Sequence, residues 1–321
     1  MQIRLAVRDW DYITPLALGD IRPEGFELKL DRVANLPDNF AKDENYDASE
    51  MSISRYSLGR GRGETGVFGV PHFLMRAFRL RCIITSCRSK LTSVAELKGK
   101  RIGLAGWQDS GNTWTRALLR REGIEIEDAQ WCISRLLASH PIIDRLAGYG
   151  RLGLIEPVAG DTPLLEMLDR GELDAVFMPF MPPGFFDAGA PFRQLVPDFR
   201  QAEIDYFNDV GFVPGIHILG VKQALADAHP WLPQALSELL DQSYRVWMQK
   251  RLRYADTTPW LIDEMRQVAQ SLPGHWDANG FRANEAMIAA FCTELHAQGL
   301  SKTLITPQFL FPNQASQHAI V

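Results

Sequence analysis

The sequence predicts an α/β protein of two lobes, and three observations predict it. Short runs of β-branched and apolar residues alternate with helix-period segments, the pattern of largely parallel sheets covered by helices. At 321 residues the chain exceeds the roughly 250 to 300 residues at which a single hydrophobic core stops growing. Two connections, one following the run that ends at Ser86 and a polar one at 198–209, stand where the chain would cross between lobes and return. This division puts residues 1–87 and 201–321 in one lobe and 88–200 in the other. A ligand is expected in the interlobe cleft, because ligands favour domain interfaces and the carboxyl ends of parallel strands.

In chain order, strands are expected at 3–7 and 27–30, where apolar and polar residues alternate, and at 47–49, 83–86, 101–105, 175–178 and 216–221, which are short and mostly apolar. Helices are expected at 36–42, 52–60, 94–97, 113–122, 162–168 and 231–251. The chain after His229 reads as mostly helical, with Thr258-Pro259-Trp260 opening one helix and 284–295 forming another.

Composition narrows the function. A hydrophobic share of 46% and a charged share of 23% are those of an ordinary globular protein. A net charge of -5 argues against a nucleic-acid partner, which calls for a basic face. No apolar run reaches the roughly 18 residues that span a bilayer, so no membrane partner is expected. The N-terminal segment carries neither an apolar signal core nor a small-residue cleavage site, so a chain that starts at Met1 is expected in the cytoplasm. Cys82, Cys87, Cys132 and Cys292 form no C-x-x-C pair and read as reduced thiols. His72, His140, His229 and His275 show no metal-ligand spacing; a divalent metal assembled from distant residues stays open. So does a homo-oligomer.

The stretch from Asp47 to Ser54 sets Glu50 among Ser49, Ser52 and Ser54 where a strand is expected to run into a helix. Ser52 suits the N-cap of that helix, and the free N–H groups of a helix start also suit an anion. The loop Gln108-Asp109-Ser110-Gly111-Asn112-Thr113 has the same double character, with Gly111 allowing close backbone approach. Arg79 and Arg116 are candidate carboxylate anchors, since a guanidinium offers two parallel hydrogen bonds. Arg116 falls in the first turn of an expected helix, where a cation opposes the helix dipole. Arg76 is a weaker candidate of the same kind. His217 lies in an apolar strand and is the leading imidazole. Trp10 reads as part of an aromatic wall, and Tyr206, with Glu203, either meets a ligand or latches the lobes.

Several segments carry a family resemblance. Leu97-Lys98-Gly99-Lys100-Arg101-Ile102-Gly103, Leu168-Asp169-Arg170-Gly171-Glu172-Leu173-Asp174-Ala175 and Met178-Pro179 resemble second-lobe signatures of type 2 periplasmic-binding-protein folds. Asp47-Ala48-Ser49-Glu50-Met51-Ser52, Arg76-Ala77-Phe78-Arg79, Trp114-Thr115-Arg116, Pro214-Gly215-Ile216-His217, His229-Pro230-Trp231 and Gln298-Gly299-Leu300 stand in the order found in the 4,5-dihydroxyphthalate decarboxylase family. The resemblance covers nearly the whole chain. It implies a two-lobed fold with an interlobe cleft, a small aromatic carboxylate as ligand, and loss of CO2 from a hydroxylated aromatic acid without an organic cofactor. The chain departs from the family pattern at Leu80, where an imidazole is usual, and in the loop Trp107-Gln108-Asp109-Ser110-Gly111-Asn112. The alternative reading is a solute-binding protein for a small organic anion.

Decarboxylation of a hydroxybenzoate requires the ring to accept electrons, through protonation at the carbon that bears the carboxylate. A proton donor, a carboxylate anchor and orientation are needed. Glu50 and His217 are the candidate donors, Glu50 because a carboxylic acid held away from water can keep its proton. Ser49, Ser52, Arg79, Gln108, Ser110, Asn112, Thr113, Arg116, Trp10 and Tyr206 are the candidate substrate contacts.

Overall fold

A computed structural model describes residues 1–255 and 258–312. The chain divides into two compact units. One comprises Met1–Arg76, Gly215–Ile288 and the described residues from Thr306 onward; the other comprises Ala77–Pro214 and Ala289–Ile305.

The first unit is built on a five-stranded sheet of β1 (Gln2–Val7), β2 (Glu27–Arg32), β3 (Ala48–Ser52), β4 (Val67–Arg76) and β11 (Gly215–Lys222), in the order β2-β1-β3-β11-β4. Strands β1, β2 and β3 run parallel, whereas β11 is antiparallel to both β3 and β4. The second unit carries β5 (Ile83–Ser86), β6 (Arg101–Leu104), β7 (Gln130–Ile133), β8 (Ile155–Pro157), β9 (Ala175–Phe177) and β10 (Phe192–Gln194), in the order β10-β5-β9-β6-β7-β8. There β9, β6, β7 and β8 are parallel, and β5 and β10 add an antiparallel edge. Both sheets are therefore mixed, not largely parallel.

Helices α1 (Thr14–Ala17), α2 (Ile53–Gly61), α6 (Gln223–Ala228), α7 (Leu232–Arg253), α8 (Leu261–Ser271) and α10 (Pro307–Leu310) belong to the first unit, and α3 (Ser110–Arg121), α4 (Leu164–Asp169) and α5 (Phe199–Val210) to the second. The long α9 (Phe281–Ala297) supplies residues to each. In the first unit Ile3, Leu5 and Val7 of β1 pack with Leu219 and Val221 of β11 and with Leu232, Leu236 and Leu240 of α7. In the second, Ile84, Val176, Leu164 and Leu168 share a core with Phe185. Among the described residues no helix is long and apolar enough to cross a membrane.

Four differences from the sequence expectations have physical reasons. Strand β4 is absent from the expected strands; Pro71 lies within it, and it is an edge strand, where proline is tolerated. Gly69 in the same strand leaves room for the Tyr56 ring, which a Cβ would meet at 2.4 Å. The polar segment 198–209 is not a bare crossing but α5, capped by the Asp198 carboxylate on the Gln201 N–H and stopped by Gly211 at a φ of 77°. The expected helix at 36–42 is a single 3-10 turn, Phe40–Lys42. Finally, the chain leaves the first unit after Arg76, not at residue 87, because β5 pairs within the second sheet. It returns at Gly215, and the assignment of 313–321 to a lobe lies outside the described residues.

Candidate functional site

The first unit brings Glu50 and His217 together. In the antiparallel pair of β3 and β11, Ser52 stands opposite His217 and Glu50 opposite Leu219. Side chains alternate along a strand, so Glu50 and His217 share a face as diagonal neighbours. The register of β11 against β4 shifts between Gly215 and Leu219, the kind of irregularity that re-aims side chains near functional sites.

The Glu50 Oε1 to His217 Nδ1 distance is 2.6 Å. The other oxygen, Oε2, accepts the Arg8 backbone N–H and the Trp10 Nε1–H, each at 2.9 Å. Both donors lie just after β1, which runs parallel beside β3. Glu50 is wholly buried, whereas 14% of the His217 side chain reaches the surface. Because Glu50 already accepts two N–H bonds, we assign the shared proton to Nδ1. The carboxylate then fixes the ring, and Nε2 is the nitrogen left for acid–base work. Close by, the half-buried Tyr12 donates its hydroxyl to the Leu74 carbonyl at 2.5 Å. Burial, with the charge of Glu50 adding to it, holds that phenol well above its ordinary range.

Two expected contacts in this unit are turned to structural use. Ser49 is fully buried and its hydroxyl donates to the Glu50 carbonyl at 2.8 Å. Ser52 caps α2 by accepting the Arg55 N–H at 3.3 Å. Arg76 is likewise an internal clamp: Nη2 donates to the Ala278 carbonyl at 2.8 Å, and the guanidinium lies 4.6 Å from the Phe73 ring centroid. It borders a cavity of about 600 Å³ whose walls include Trp10, Tyr12, Tyr244 and Trp276.

His72, also on that cavity, is buried, contacts Ser237 Oγ through Nδ1 at 2.9 Å, and lies 3.8 Å from Asp241. Burial pulls its pKa down from 6.5 to about 4, against the opposing pull of Asp241. Between these values the unfolded chain binds the proton and the folded chain does not, so stability is lost as pH falls through this window. Thermal melts from pH 7 to pH 4 are expected to fall more steeply for the native protein than for His72→Gln; parallel curves would refute this.

In the second unit Arg79 precedes β5 and packs against the first turn of α3. It is 2% exposed, and Nε donates to Thr115 Oγ1 at 3.2 Å. The Thr115 hydroxyl in turn donates to the Gly111 carbonyl at 2.8 Å. Nη1 and Nη2 have no hydrogen-bond partner among the described residues. Burial lowers the pKa of this guanidinium. Ser110 is buried in the same turn, and Gln108 is half-buried in the turn before it.

The remaining candidates are engaged within the unit, with Arg116 Nη1 alone of their nitrogens buried without a hydrogen-bond partner among the described residues. Asn112 Nδ2 donates to the Gly106 carbonyl at 2.8 Å, and the Thr113 hydroxyl to the Asp109 carbonyl at 3.1 Å. Arg116 is fully buried: Nε donates to Gln298 Oε1 and Nη2 to the Trp107 carbonyl, each at 2.7 Å, and the guanidinium stacks 4.0 Å from the Trp107 ring centroid. Its cation is thus held by the residue that follows α9 and by the loop before α3. Tyr206 makes edge contacts with Phe78 and Phe212 and sits under Arg121, at the C-terminal end of α3. Gly111 is about 15 Å away along the same helix. Glu203 accepts the Arg81 N–H at 3.0 Å. Both residues therefore latch α5 inside the unit. Sequence reasoning passed over Tyr12 and Thr115; the aromatic pair Trp10 and Tyr12 just after an N-terminal strand was the available signal for the former.

Among the described residues no three His, Cys, Asp or Glu side chains gather as a metal-ligand set. No family model matches the chain. It is 30% identical, over 334 aligned positions covering 97% of the chain and 96% of the relative, to a 4,5-dihydroxyphthalate decarboxylase of Comamonas testosteroni. A second 4,5-dihydroxyphthalate decarboxylase, from Pseudomonas putida, is 28% identical over 228 positions, 66% of this chain and 83% of the relative. Among solved structures, the periplasmic aliphatic sulphonate binding protein SsuA of Escherichia coli matches with a TM-score of 0.55 at 12% identity, covering 96% of this chain and 91% of that one. The desulfurization enzyme DSZB matches with a TM-score of 0.53 at 16% identity and 99% of each chain. These likenesses show a periplasmic-binding-protein-like α/β fold.

Proposed function

The chain belongs to the 4,5-dihydroxyphthalate decarboxylase family, and on that premise we propose that it is a carboxy-lyase acting on a hydroxylated aromatic dicarboxylic acid such as 4,5-dihydroxyphthalate. The observation that carries the reading is the Glu50–His217 couple, a buried carboxylate holding an imidazole at 2.6 Å. Such a couple supplies what the reaction lacks in water, an oriented proton donor.

In this scheme the ring carbon that loses its carboxylate lies para to a hydroxyl. As the phenol gives up its proton, the ring carbon takes a proton from His217 Nε2 and the phenolic oxygen becomes a carbonyl. The bond to the carboxylate then breaks and CO2 leaves. Its electron pair restores the aromatic ring, and the oxygen recovers a proton. The net change is one carboxylate and one proton converted to one C–H bond and CO2. Glu50 is the positioning residue: its carboxylate holds Nδ1 and so fixes the direction of Nε2. The ring itself is the electron sink, so no organic cofactor enters the scheme.

Purified protein incubated with 4,5-dihydroxyphthalate is expected to release one CO2 per molecule, before and after dialysis against a chelator. Absence of CO2 from this and related hydroxybenzoates, with divalent metals restored, would reject the reading. A cytoplasmic location belongs to the same proposal. It is supported by Cys82, Cys87, Cys132 and Cys292 all being free thiols, as a reducing compartment leaves them.

A further inference from the structure

Arg79 presents an unmet charge. It is 2% exposed, forms no ion pair among the described residues, and has two Nη groups without a hydrogen-bond partner there. A buried guanidinium left so is costly, because the charge has surrendered water without gaining a counter-ion. The nearby carboxylate of Glu203 is engaged by the Arg81 N–H. Only Nε is committed, to Thr115, and that contact fixes the plane of the fork.

The fork meets the start of α3. A Cβ on Gly111 would stand 2.9 Å from Arg79 Nη2, so the guanidinium lies directly against the first turn of a twelve-residue helix. The first N–H groups of a helix lack intrahelical partners and carry the positive end of its dipole. A planar guanidinium and a helix start therefore converge, each suited to a small anion.

We infer that Arg79 Nη1 and Nη2, together with the opening turn of α3 at Gly111, form a binding site for the carboxylate of an aromatic acid. The two Nη groups pair with the two carboxylate oxygens, and Gly111 supplies the clearance. The aromatic class of that ligand rests on the reading above; the carboxylate site itself does not.

Titration calorimetry of the full chain with phthalate tests it, since phthalate has the two carboxylates but lacks the hydroxyls that decarboxylation requires. The native protein is expected to bind phthalate and not the neutral, near-isosteric phthalamide. Arg79→Gln should weaken phthalate binding by about 10- to 100-fold, the usual weight of a charged hydrogen-bonded contact. Gly111→Ala guards against misfolding of that variant: alanine favours a helix over glycine, yet its methyl group must displace Nη2 and weaken phthalate binding. No phthalate binding, equal binding of phthalamide, or affinity unchanged in both variants would overturn the site. Arg79-dependent phthalate binding without CO2 release from 4,5-dihydroxyphthalate would leave the site standing and reject the proposed function. CO2 release with binding indifferent to both substitutions would do the reverse.

Discussion

His217→Asn is expected to lower kcat for 4,5-dihydroxyphthalate by about 10²- to 10⁴-fold, the usual weight of a positioned acid–base group. The amide can keep a hydrogen bond to Glu50 but cannot deliver a proton at neutral pH. Fold and KM should change little, because the residue sits near the end of a strand whose core contacts come from Ile218, Leu219 and Val221. Glu50→Gln separates the positioning role from the donor role. It keeps the shape and can still meet His217 Nδ1, but an amide nitrogen cannot accept the Arg8 and Trp10 N–H groups that the carboxylate holds at 2.9 Å. Its kcat should fall while KM stays near the native value. Steady-state kinetics on both variants decides the matter; native kcat in either would remove that residue from the mechanism.

The largest stability effect is expected from Trp107→Ala. Trp107 is 1% exposed, stacks under the Arg116 guanidinium and meets the edge of Trp131 at 5.5 Å, which in turn meets Phe177 at 6.0 Å. Removing a buried indole costs about 3 to 5 kcal/mol through lost transfer energy and the cavity left behind. Here it also strips a buried cation of its aromatic partner. Urea unfolding should show the loss in the midpoint, with Trp107→Phe losing less; a change below about 1 kcal/mol would contradict the packing role. The tryptophan in this loop, a departure from the family pattern, thus has a structural explanation: it carries Arg116.

The sequence made most of the architecture legible, because strand and helix periods differ and because the Ser52 cap announces α2. It did not reveal β4, since a proline inside a strand is informative only once one knows that the strand lies at an edge. Of the candidate site, Glu50 and His217 could be named and set side by side as alternative donors, but their direct contact could not be read. They are far apart in sequence, and only the register of β11 on β3 makes them neighbours. Arg79 and Arg116 illustrate the complementary limit. Each is an arginine beside an aromatic-rich segment; Arg116 commits Nε to Gln298 and one Nη to the Trp107 carbonyl, whereas both Nη groups of Arg79 lack a hydrogen-bond partner among the described residues. Ser49, Asn112 and Thr113 were legible as polar, yet their hydroxyls and amide serve backbone carbonyls within a few residues, a use that composition does not distinguish from ligand binding.

Because β11 lies between β3 and β4, the first 76 residues cannot close their own sheet. During synthesis the strand that completes it arrives only after roughly 150 further residues, about 7 to 30 s at ordinary elongation rates. Through that interval β3 and β4 present facing unpaired edges, and Glu50 waits without its imidazole. The Glu50–His217 couple therefore forms only once β11 has been made, and a nascent chain stalled before His217 would carry the acid without the imidazole.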